Sequence, residues 1–186
     1  MSFEYPNNLE KEFLDSISNL PLETGFTEKI EDILRKIGQT RAMDIGISLL
    51  TNTDEKKRAK GMDVVMSVDP EKNVDLILPL LDEVNPLIRW QAVFEITRTN
   101  RFLEHNDFVV ARIIRVLRED TSPMVRIEAA GMLGYCEITP EVISALEYAR
   151  EHDFESYDGY RTSRIAEDSL KRIRERQNNE QGRKGG

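Results

Sequence analysis

The chain has 186 residues and a formal charge of −8, with 39% hydrophobic, 32% charged and only 7% aromatic residues. It is long enough to bury a core without staples, and its one cysteine excludes an internal disulfide framework. An acidic balance with pI near 5.0 argues against a nucleic-acid groove as the main surface.

The N-terminus, MSFEYPNNLEKEFLDS, lacks the basic and apolar regions of a signal peptide. No apolar run is long enough to span a membrane, and the densest, Leu76 to Leu81, is broken by Pro79. A cytoplasmic chain with no membrane contact is the simplest expectation. Apolar periodicity and punctuation predict helices at about 7–19, 27–37, 40–51, 55–68, 72–83, 86–101, 107–119, 123–136, 140–152 and 160–176. Asn85-Pro86, Ser122-Pro123 and Thr139-Pro140 read as N-caps followed by proline at the first helical position. No segment alternates with period 2 for long enough to predict a strand. From Lys171 to Gly186 the local charge is +4, which leaves −12 for residues 1–170. Residues 177–186 have no apolar side chain and are expected to form a flexible basic tail.

A repeat runs through the helices. Residues 54–65, 85–96 and 121–133 each carry a helix-start residue, an arginine, a small residue three further on and an aliphatic four after that. The arginines are Arg58, Arg89 and Arg126, the small residues Gly61, Ala92 and Ala129, and the aliphatics Val65, Ile96 and Leu133. All three sets are spaced by 31 and then 37 residues, and before each arginine lies an apolar helix ending in leucine. Two helices per unit, repeated, predict an all-α chain of about five helical hairpins.

Pro86-Leu87-Ile88-Arg89 with Ala92, and Pro123-Met124-Val125-Arg126 with Ala129, Ala130 and Leu133, resemble the second helix of the HEAT repeat. The pattern is similar to the short bacterial form also seen in phycobilisome-lyase-like repeat proteins. The resemblance covers residues 40–170, and 1–39 stand as a divergent N-terminal cap to a single domain of residues 1–176. Asn85, Lys56 and Ser163 depart from the family pattern. The resemblance implies a right-handed α-solenoid, an α-α superhelix whose second helices line a concave, partner-binding face. It also implies that Arg58, Arg89 and Arg126 form a structural ladder with carboxylates of neighbouring units, for which Asp54, Asp82 and Asp120 are available. The other reading of the row is an anion-binding surface.

Subtracting the apolar arcs from the second helices leaves a stripe, Gln91, Glu95 and Arg98, continued by Glu128, Met132 and Tyr135. This stripe is the expected partner-binding surface. Trp90 and Phe94 share a helix face and are expected to pack in the core, with a partner-binding hot spot as the other reading. The acidic loop Asp153 to Gly159, with Tyr157 and Tyr160, is the secondary candidate. As a calcium loop it fails, because Tyr157 falls at position 5 and Arg164 at position 12, so no metal site is expected. Two histidines, His105 and His152, and Cys136 beside Glu137 offer no recognisable catalytic motif. Cys136 reads as a small buried hydrophobe.

These readings favour a non-catalytic scaffold or adaptor that binds a protein, with no cofactor. One alternative is a bilin-lyase-like subunit, in which Trp90, Arg98, Arg101 and Tyr135 would line a tetrapyrrole pocket. Another is a toxin-neutralising immunity protein. Only the basic tail would favour nucleic acid.

Overall fold

The computed structural model describes residues 8–19, 21, 27–98 and 107–184, and these are almost entirely helical. Among the described residues no helix is long and apolar enough to cross a membrane. The chain divides into two compact units, Met1–Pro79 and Leu80–Gly186, where the sequence predicted one continuous domain.

In the first unit α1 (Asn8–Ser18), α2 (Glu28–Ile37), α3 (Gln39–Leu50), α4 (Glu55–Val68) and α5 (Pro70–Ile77) follow in order. Phe13, Ile17, Ile30, Ile33, Ala42, Ile45 and Leu49 meet in its core. The closest approach is between α3 and α4, and glycine makes it possible. A Cβ on Gly61 would lie 2.5 Å from the backbone nitrogen of Leu50 and 2.9 Å from the carbonyl oxygen of Gly46. Asp54 caps α4 by accepting from the Lys56 backbone N–H. Glu10 is buried on α1 and takes both arms of the Arg41 guanidinium, at 2.8 and 3.0 Å. That hydrogen bond, aided by the arginine's charge, holds the Glu10 carboxyl below its usual range.

A short 3-10 turn, Leu78–Asp82, contains the division. The second unit holds α6 (Pro86–Arg98), α7 (Asp107–Glu119), α8 (Pro123–Leu133), α9 (Pro140–His152) and α10 (Thr162–Lys184). Helix α8 packs against both α6 and α10, while α7 packs against α9. Ile88, Ala92, Val93, Ile96, Ile113, Val125, Ala129, Ala130, Leu133, Ala145, Leu146 and Ala166 are sealed between these helices. Proline opens α6, α8 and α9 as the sequence implied, and Asn85 and Thr139 cap their helices. Ser122 does not cap with its side chain; Asp120 Oδ1 instead accepts the Ser122 N–H at 2.8 Å.

Two features differ from the sequence expectation. Helix α10 continues to Lys184, so residues 177–184 are helical and not a loose tail. A short hairpin, β1 (Ser156–Tyr157) paired with β2 (Tyr160–Arg161), lies between α9 and α10. Its turn is Asp158-Gly159, both at positive φ, as a type I′ turn requires. That dipeptide was the available signal, but two-residue strands are too short to show alternation.

Candidate functional site

The arginines of the repeat occupy equivalent turns. Arg58 Nη1 donates to the carbonyl oxygens of Asn52 and Thr53, both at 2.9 Å. Arg89 Nη1 donates to those of Glu83 and Val84, at 2.8 and 3.0 Å. Arg126 Nη1 donates to that of Asp120 at 2.7 Å. Each side chain thus folds back onto the turn before its own helix and satisfies carbonyls left over from the preceding element. The rest of the guanidinium reaches forward. Arg89 grips Asp120 through Nε and Nη2 at 2.7 and 2.8 Å. Arg126 grips Asp153 at 2.6 and 3.1 Å and adds Glu155 at 2.7 Å. These paired hydrogen bonds make both arginines more basic than usual against the opposing cost of burial.

Of the three carboxylates expected to serve the row, only Asp120 pairs with a repeat arginine here. Asp54 is a helix cap, and Asp82 takes Arg112 and Arg115, whose pull lowers its pKa. Asp153 and Glu155 were missed because they lie in the hairpin approach, where the helical period stops. Arg89 and Arg126 are both largely buried and spend their donors inside the protein. Their geometry is that of a clamp, with little left for an external anion.

The expected stripe is open only in part, at Glu128 and Tyr135. Gln91, Glu95 and Met132 are 7%, 5% and 1% exposed, so they belong to the covered side of their helices. The Arg98 side chain lies outside the described residues. Subtraction failed because α8 is flanked by α6 and α10 and also touches α7 and α9, so its buried arc is wider than one apolar face. On α6 the open strip sits one residue back, whereas on the α8 side it keeps the expected Glu128 and Tyr135 and loses Met132. On α6 it is Trp90 and Phe94; on α8 it is Ile127, Glu128 and Gly131, with Tyr135 just beyond the helix. Trp90 is therefore half-buried at the edge of the core, and Phe94 is 39% exposed.

Contacts join this strip across the helices. The Trp90 and Phe94 rings stack with centroids 5.7 Å apart. Trp90 Nε1 donates to Glu128 Oε2 at 3.1 Å. Burial pushes the Glu128 carboxyl above its usual pKa, and the indole hydrogen bond only partly offsets this. Next along, a Cβ at Gly131 would meet only Ile165 Cγ2, at 3.6 Å. The Arg172 guanidinium lies 4.2 Å from the centre of the Tyr135 ring, and Tyr135 is 46% exposed. Arg176 holds the carbonyls of Tyr135 and Cys136 at 3.3 and 2.8 Å. Aromatic and aliphatic surface is thus presented by three adjacent helices and fixed by polar contacts between them.

No protein-family model matches the chain, and no curated protein matches it.

Cys136 is fully buried, and loss of solvent raises its thiol pKa to about 12. It is in no state to act as a nucleophile near neutral pH. His105 lies outside the described residues, and His152 is exposed against Tyr148, with ring centroids 4.7 Å apart. Tyr157 and Tyr160 flank the hairpin turn and are both more than half exposed.

Proposed function

We propose that the chain is a non-catalytic helical-repeat module of the HEAT kind that binds a protein partner through the strip on α6, α8 and α10. The observation that carries this reading is the strip itself: Trp90, Phe94, Ile127, Tyr135 and Arg172 at repeat-related positions on neighbouring helices. Half-exposed aromatic and arginine side chains held by second contacts are the kind of group that anchors interfaces. Their rotamers are already fixed by the Glu128 and Arg172 contacts, so less entropy is lost on binding. Support for the repeat reading comes from the three arginines with the same backward reach, and from the α6–α8–α10 row beside α7 and α9. A short solenoid over the second unit accounts for the helix row and for Arg89 and Arg126, and Arg58 repeats the same turn within the first unit. Support for a non-catalytic role comes from the burial of Cys136 and the internal use of Arg89 and Arg126.

The test is a pull-down from native extract with mass spectrometry, comparing the wild type with Phe94→Ser/Tyr135→Ser. The double variant should keep its circular-dichroism spectrum and lose the partner recovered by the wild type. Unchanged recovery would remove the strip as the docking surface. Glu95→Lys is a poor probe, because Glu95 is buried and its reversal would act through folding.

A further inference from the structure

A second surface stands apart from the strip in both shape and charge. Tyr148 on α9, Phe154 in the loop, and Tyr157 and Tyr160 on the hairpin are each more than half exposed. Unlike Phe94 and Trp90, these rings are interleaved with acids. Residues 147–161 carry Glu147, Glu151, Asp153, Glu155 and Asp158 against only Arg150 and Arg161. Arg126 from α8 and Arg118 from α7 also face this region and reduce the negative excess without reversing it. Arg150 is turned to Glu151 at 2.6 Å. The Glu155 side chain stays 66% exposed even while paired.

Tyr148, Phe154, His152 and Glu155 line one cavity of about 300 Å³, together with Arg118 and the Arg126–Asp153 pair. The volume suits one long side chain. Two aromatic rings and an exposed carboxylate favour a cation, through the ring faces and through charge. Inside the cavity Arg118 and Arg126 offset Asp153 and Glu155, and the negative excess of this edge comes from Glu147, Glu151 and Asp158 around it. The loop is also held in place before any ligand arrives. Arg126 joins Asp153 to Glu155, and Thr162 N–H donates to Glu155 O at 3.2 Å while Ser163 N–H donates to Asp153 O at 2.9 Å. A pre-ordered loop binds without an ordering cost.

We propose that the α9–hairpin edge docks a basic segment of another protein, with one arginine or lysine side chain entering the cavity lined by Tyr148 and Phe154. The inference does not depend on the strip, which carries different residues on different helices. It is tested by random-peptide display on the immobilised full-length chain, followed by affinity measurement of the enriched peptides. Peptides rich in arginine and lysine should be enriched. Tyr148→Ser/Phe154→Ser should weaken them by about tenfold or more, while Phe94→Ser/Tyr135→Ser should bind them as the wild type does. Affinity should fall as salt rises from about 50 to about 500 mM. Glu147→Lys/Glu151→Lys reverses exposed charge and breaks only the surface Arg150–Glu151 pair, so it should also weaken the peptides and serves if the aromatic variant fails to fold. Absence of basic peptides among those enriched, or basic peptides indifferent to both edge variants, overturns the proposal. Basic peptides lost only in Phe94→Ser/Tyr135→Ser would overturn it while leaving the strip reading intact.

Discussion

Two residues show how far single side chains determine behaviour. Glu128 is the more accessible to experiment, because it accepts from the chain's only tryptophan. Its pKa is raised in the folded state above the ordinary carboxylate value, chiefly by desolvation. Between that value and the folded one, the native state holds the proton more tightly than the unfolded chain. Stability is therefore fully present at low pH and falls as pH rises through this window. Glu128→Gln keeps an acceptor for Trp90 and removes the ionisable group. It should raise the melting temperature at pH 7 and leave it unchanged near pH 4, followed by Trp90 fluorescence. An equal shift at both pH values would mean that ionisation of Glu128 is irrelevant. Arg126 is the other residue. Its guanidinium is buried and bonded to Asp153, Glu155 and the Asp120 carbonyl. Arg126→Ala strands Asp153 in a largely buried setting, and should cost about 3 kcal/mol or more by denaturant titration. The position of this arginine was legible from the repeat. Its partners were not, since ion pairs follow loop geometry that helical spacing does not encode.

At the scale of elements, the small residues of the repeat mark close approaches. Ala129 is fully buried on α8, the helix with neighbours on most sides. Ala129→Leu should destabilise by about 1–3 kcal/mol through overpacking, read from chemical denaturation. Gly61→Ala should have a comparable effect for a different reason. Its new methyl would meet the α3 backbone at Leu50 and Gly46, which cannot rotate aside as a side chain can. A wild-type melting temperature for either variant would place the residue off the helix interface. Helix starts were readable because proline and capping side chains act locally, as at Pro86 and Pro140. The end of α10 was not, because a polar sequence such as QNNEQGRK carries no signal that separates helix from coil. Glu128 and Tyr135 were legible as part of the strip, but Gln91, Glu95 and Met132 were misplaced for a related reason. Periodicity gives the centre of an apolar face, but its width depends on how many neighbours a helix acquires.

At the scale of the molecule, all-helical character was legible, since scarce glycine and proline and a helical apolar period point the same way. The division at residues 79 and 80 was not, because it falls inside the apolar stretch Leu76 to Leu81, which reads as one helix. The two candidate surfaces of the second unit differ in chemistry: the strip is apolar with Arg172 beside Tyr135, and the hairpin edge is aromatic and acidic. The central claim is that the strip on α6, α8 and α10 carries the partner. Site-specific photo-cross-linking tests it most directly. A photo-reactive phenylalanine analogue is placed at Phe94, at Tyr135 or, as a control, at Phe108, which is exposed on α7. The chain is then irradiated in native extract. A protein adduct of the same mass from positions 94 and 135, and none from 108, is the predicted result. An adduct from position 108 with none from 94 or 135 would contradict it.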